Sequence, residues 1–83
     1  MTANEKQNLI DNKVRSMIHI DFDWFSCLKK YTFLLADGQF VDDYFVEVSF
    51  KRANEIYEDE DIAITKEQYL ELQDFFKELN SYL

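Results

Sequence analysis

His19 is the only imidazole in the chain, so any Ser-His or Cys-His arrangement for nucleophilic chemistry must be built on it. It precedes Asp21 and Asp23 at alternate positions. On a strand these three side chains share a face, and one imidazole with two carboxylates could hold a divalent cation. The same row is equally the polar face of an amphipathic strand, and that is the expectation here. Cys27 is the single cysteine. No base or helix start in the sequence lowers its pKa, so it reads as a small buried thiol rather than a nucleophile. Asp59, Glu60, Asp61 and Glu67 are arranged superficially like a calcium loop. The obligatory glycine is missing, and Ile62, Ile64 and Thr65 stand where polar ligands belong. The one glycine, Gly38, cannot form a phosphate-cradling loop. The expectation is no catalytic residue, no metal and no cofactor.

A second chemistry is carried by charge. Glu67, Glu71, Asp74 and Glu78 recur at intervals of four, three and four residues. On a helix they point within about 60° of one another and form a ridge about 16 Å long. Like charges at this spacing cost a helix a few tenths of a kcal/mol per pair, whereas an ordinary solvated face alternates Lys with Glu. Glu58, Asp59, Glu60 and Asp61 lie just upstream. These eight residues are the candidate partner-binding set. Neighbouring carboxylates would stand roughly 5–6 Å apart, broadly like the phosphates of a nucleic-acid strand, and such a ridge can enter a groove lined by Lys and Arg. The competing reading is a face that serves solubility alone.

The elements that position these groups follow from pattern. Thr2 or Asn4 can cap a first helix that runs to about Lys13 or Arg15, with Leu9, Ile10 and Val14 buried. Ile18, Ile20, Phe22 and Trp24 alternate with His19, Asp21 and Asp23, which predicts a strand over 17–24. Phe25–Lys30 is expected to turn the chain. Lys30–Ala36 reads as a second strand, apolar on both faces as a central strand is. Asp37-Gly38 then signals a two-residue type I′ hairpin, setting Leu35 opposite Phe40, Tyr31 opposite Tyr44 and Asp42 opposite Phe33. The third strand spans Gln39 to about Lys51, with Phe40, Tyr44, Val46, Val48 and Phe50 on one side. Residues 52–61 read as a loop or a short helical turn, and Ile62–Ile64 as a short extra strand. Thr65 and Gln68 make a capping box for a last helix from Lys66 to near Leu83, whose buried stripe is Tyr69, Leu72, Phe76, Leu79 and Leu83. The predicted class is α+β: an N-terminal helix, three or four antiparallel strands, and a C-terminal amphipathic helix packed on the sheet.

Composition limits what such a domain does. Eighty-three residues make one domain. The lone cysteine, the polar N-terminus and the absence of a long apolar run predict a cytoplasmic setting with no membrane span. The net charge of −8 opposes direct contact with nucleic acid or anionic lipid and favours a basic protein partner. Residues 1–52 hold eight acids and seven bases, while residues 53–83 hold nine acids and two bases. Tyr31, Phe33 and Phe50 have the types of a base-stacking platform, but the charge is of the wrong sign, so core packing is expected of them.

In size, charge and aromatic content over its whole length, the chain resembles the small, acidic, proline-free inhibitors encoded by bacteriophages. This class includes anti-CRISPR proteins and other nucleic-acid mimics. The resemblance carries over no individual residue. It implies a host nucleic-acid-binding target, such as a CRISPR effector, blocked by occupation of its groove. Two other expectations stand beside it: a small structural or adaptor protein that oligomerises through its sheet, by Trp24 or Phe45, and a metal-dependent enzyme using His19, Asp21 and Asp23.

Overall fold

In the computed structural model, which describes residues 1–81, Thr2 caps the first helix, α1 (Ala3–Ile18), by accepting the Glu5 N–H at 3.1 Å. The helix runs past the expected Lys13 or Arg15 because Met17 and Ile18 extend its buried stripe one turn beyond Val14. It ends at His19, which takes a left-handed conformation (φ 55°) and returns its N–H to Arg15. The expected strand over 17–24 is therefore absent. Alternation of apolar residues there coincided with helical spacing from Val14, and a helix already nucleated gains a bond per added residue. Phe22 is buried, but Ile20 and Trp24 are exposed, as is Leu9 on α1.

Three antiparallel strands follow in the order β1-β2-β3: β1 (Trp24–Leu34), β2 (Phe40–Lys51) and β3 (Tyr57–Ile64). The stretch 25–30, expected to turn, is the first half of β1. A bulge between Phe25 and Cys27 shifts the register there. The extra residue lets Phe25 and Leu28 both reach the core, which strict alternation would forbid. The strand predicted over 30–36 is the second half of β1, and it lies at the edge of the sheet, not at its centre.

The β1–β2 turn is one residue longer than expected. Leu35 N–H donates to Gln39 C=O and Gly38 N–H to Leu35 C=O, with positive φ at Gly38 alone (85°). A three-residue loop ending in a left-handed glycine moves the register by one. Leu34 pairs with Phe40, Lys30 with Tyr44, and Asp42 with Thr32 instead of Phe33. The β2–β3 turn repeats this hydrogen bonding: Arg52 N–H to Ile56 C=O, and Glu55 N–H to Arg52 C=O. Glu55 (φ 64°) takes the left-handed position that glycine fills in the first turn. With no glycine to mark it, this hairpin is silent in the sequence. Residues 57–61, read as loop or helical turn, are the greater part of β3, and Ile62–Ile64 is its end rather than a separate strand.

Thr65 and Gln68 form the expected capping box, each accepting the other's N–H (2.9 and 3.1 Å), and open α2 (Lys66–Ser81). Leu72 and Leu79 are buried, and Phe76 packs on the core. The Tyr69 ring lies 4.8 Å from that of Tyr44. Leu83, the last member of the predicted stripe, lies outside the described residues. Both helices cover one face of the sheet, antiparallel to each other, with Lys6 reaching Asn80 and Lys13 reaching Glu71. Val14, Phe22, Phe25, Val46, Val48 and Leu72 fill the space between. The molecule is 19 Å across its thin dimension, one helix layer on one sheet. Its radius of gyration is 14.7 Å, against about 12 Å for a compact chain of this length, because the β1–β2 hairpin projects beyond the helices. No helix of the described residues is long and apolar enough to cross a membrane.

Candidate functional site

Stripe and ridge are set by the same helical period. Burying Leu72, Phe76 and Leu79 turns Glu67, Glu71, Asp74 and Glu78 outward, and all four are exposed. Glu67 sits in the first turn, where the helix dipole favours it. Glu78 lies near the opposite end, in a last turn that has no basic residue, so the dipole disfavours it. Glu71 is tied to α1 by Lys13 at 2.8 Å, and the same ammonium stands over the Phe75 ring at 5.7 Å. Among the described residues, Glu67, Asp74 and Glu78 form no ion pair.

The upstream acids do not extend this ridge. On β3 they alternate between the two faces of the sheet, where a helical turn would have gathered them. Glu58 and Glu60 lie opposite Phe50 and Val48, on the side of the helices; Asp59 and Asp61 lie opposite Ser49 and Glu47, on the uncovered side. Each acid has a local partner. Arg52 spans Glu58 (Nε, 2.8 Å) and Glu60 (Nη2, 2.8 Å), and these contacts, that to Glu58 foremost, raise the guanidinium pKa. Ser49 donates its hydroxyl to Asp59. Lys29 bridges Glu47 at 2.9 Å and Asp61 at 3.2 Å across the three strands. Eight candidate residues thus resolve into an exposed helical row and four internally engaged strand acids.

The Lys29 cluster has a pH signature. Hydrogen bonding to Glu47, then to Asp61, raises the Lys29 pKa above its ordinary value. Hydrogen bonding to Lys29 foremost lowers that of Glu47. A raised lysine contributes stability that is complete below its unfolded pKa and lost as pH rises through the folded one. A lowered carboxylate contributes stability that is present above its unfolded pKa and lost as pH falls through the folded one. The cluster therefore stabilises fully between about pH 5 and about pH 10. Lys29→Met is expected to narrow its stability deficit against the parent chain as pH drops below about 4. Urea midpoints of both chains across pH 3–7 check this; a deficit independent of pH removes the electrostatic account.

The remaining chemical candidates are dispersed. His19 caps α1, Asp21 is in the connecting segment, and Asp23 accepts the Lys51 N–H from the end of β2. They share no strand face. Among the described residues, no group of three or more His, Cys, Asp and Glu side chains is placed to hold a metal ion, and no pocket opens at the surface. Cys27 lies half-buried on the uncovered sheet face and donates to Glu47 Oε2 at 3.4 Å. Burial first, then this bond and the adjacent carboxylate, push the thiol pKa up, opposite to the activation a nucleophile needs. Of the aromatics considered as a stacking platform, Phe50 packs on the core, while Tyr31 and Phe33 are exposed.

Three features escaped the sequence reading. The Lys29 and Arg52 clusters become visible once a hairpin is drawn between residues 51 and 57, which sets Lys51 opposite Tyr57 and Glu47 opposite Asp61. Asp11 had no such signal. It occupies the buried stripe of α1, where it accepts the Phe25 N–H and the Gln7 amide, both at 2.8 Å.

Comparison of the chain with protein-family models, with curated proteins and with solved structures returns no match.

Proposed function

We propose that this chain is a non-catalytic acidic binding protein that inhibits a basic, nucleic-acid-handling host protein, such as a CRISPR effector, by occupying its nucleic-acid groove. The observation that carries the reading is the row Glu67, Asp74 and Glu78, exposed along α2 and joined to no cation among the described residues. Repulsion between Asp74 and Glu78, four residues apart, and the C-terminal dipole at Glu78 both act against this arrangement in the free protein. A groove lined by Lys and Arg relieves both penalties on docking and releases the anions bound there. The strand acids take a lesser part, since Arg52, Lys29 and Ser49 already engage them.

The test is a pull-down from host lysate with the full chain as bait, at about 50 mM and about 500 mM salt. A basic nucleic-acid enzyme is expected at low salt, released by high salt or by competing DNA. Glu67→Lys, Asp74→Lys and Glu78→Lys together bring the net charge from −8 to −2. They are expected to weaken that binding on the order of 100-fold or more, with the helical circular-dichroism signal and melting temperature retained. A partner held equally by the triple variant refutes the helical row as the docking surface.

A further inference from the structure

Beyond the Lys30–Tyr44 pair the sheet narrows to a two-stranded ribbon, because β3 ends at Ile64 opposite Tyr44. Every residue from Lys30 to Asp43 is exposed. Leu34 and Phe40, paired across the strands on the helix side, are 65 % and 70 % exposed. Tyr31, Phe33 and Val41 on the other side, and Leu35 at the turn, are 41–49 % exposed. Given that an aromatic side chain presents roughly 150–250 Å², these six leave about 500 Å² of apolar surface in water. This surface is divided between the two faces of the ribbon and its turn, so a strand added at the edge borders apolar side chains on both faces. Tyr31, Phe33 and Leu34, on β1, flank its free backbone edge, whereas Phe40 and Val41 stand one strand further in.

The two edges of the sheet are unequal. β3 carries four consecutive acids, which defend it against pairing. The start of β1 is blocked as well, with the Phe25 N–H bound by Asp11 and its C=O by Gln7. From Cys27 to Leu34, among the described residues, only β2 bonds to the β1 backbone. This is the strand whose two apolar faces have the pattern of a central strand, yet within one chain it lies at an edge. Charge permits a second copy here and opposes one along β3 and α2. Lys29–Asp43 holds two lysines and three aspartates, while the acidic excess lies beyond residue 52.

We infer that β1 pairs antiparallel with β1 of a second copy of this chain, joining two sheets into one of six strands about a twofold axis at Tyr31. Opposed residues in such a pair share a face. Centring on Tyr31 sets Leu34 against Leu28 and Phe33 against Lys29, whereas centring on Lys29 or Lys30 opposes two lysines. The former edge becomes central, and the two acidic helices project from one face of the joined sheet.

Sedimentation equilibrium of the full chain from about 5 to about 500 μM tests this. The mass is expected to rise from 10.0 kDa toward twice that value, and association is expected to tighten with added salt, which screens the repulsion of two acidic copies. Docking to a basic partner weakens with salt, so this result stands or falls separately from the proposed function. Phe33→Thr with Leu34→Thr keeps strand propensity and touches no buried residue. It is expected to raise the dimer dissociation constant on the order of 100-fold, since each change counts twice in a twofold interface. Tyr31→Lys, which sets like charges on the axis, is an independent variant with the same expected direction. A chain that stays monomeric at about 500 μM in about 500 mM salt, or a dimer that neither variant weakens, overturns the inference.

Discussion

Leu72→Ala is expected to remove about 3 kcal/mol of stability and to lower the melting temperature by roughly 12–24 °C. Leu72 is fully buried where α2 meets the sheet, in one cluster with Val14, Val46 and Val48. Those three neighbours are β-branched and stiff about χ1. Two are held by strand hydrogen bonds, so the vacated volume closes only in part and the cavity term adds to the lost transfer energy. A domain of this length holds roughly 4–12 kcal/mol in total, so one such change is a large fraction of it. Thermal and urea melts of the variant check this, with Leu72→Met, expected below about 1.5 kcal/mol, as the volume-conserving control. A shift under about 5 °C would mean that α2 does not seat on the sheet by this residue.

Asp11→Ala is expected to cost about 2–4 kcal/mol, through hydrogen bonding and not packing. The Asp11 carboxylate is 4 % exposed and accepts two donors, one of them the Phe25 N–H at the edge of β1. Truncation leaves that N–H without its acceptor beside the bulge, and a buried donor left unmade costs its full desolvation. Asp11→Asn keeps an acceptor oxygen in place and is expected to cost about 1 kcal/mol. Amide exchange at Phe25 is the specific readout: it accelerates in the alanine variant and much less in the asparagine one. Equal stability of parent and Asp11→Ala would show that α1 does not pin the start of β1 through this contact.

Both predictions concern how the helices meet the sheet, which is where sequence and structure parted. The α2 stripe, its capping box and the inward parity of Tyr44, Val46, Val48 and Phe50 were legible because each is a local pattern over many residues. The reversal near Asp37-Gly38 was legible in place but not in length, since glycine serves a three-residue loop as well as a two-residue one. The second turn was hidden because Glu55 does the work of a glycine. The segment over 17–24 failed for another reason. Its alternation fits a strand, but Val14, Met17 and Ile18 also fit a helix, and the helix that reached Val14 first had the lower cost of extension.

The helical row was in the same sense readable, for its spacing and the α2 stripe are two aspects of one period. Its separation from Glu58–Asp61 was not. Four acids in sequence form one patch on a turn and two opposed patches on a strand, and only pairing with β2 selects the strand. The amino-acid sequence by itself determined the α+β class, the acidic C-terminal helix and the faces that each regular element turns inward. Tertiary structure alone decided which strand became an edge, which acids acquired cations, that Asp11 would be buried, and that an apolar ribbon would stand clear of both helices. Those outcomes depend on contacts between residues far apart in the chain, whose free energies no local pattern contains.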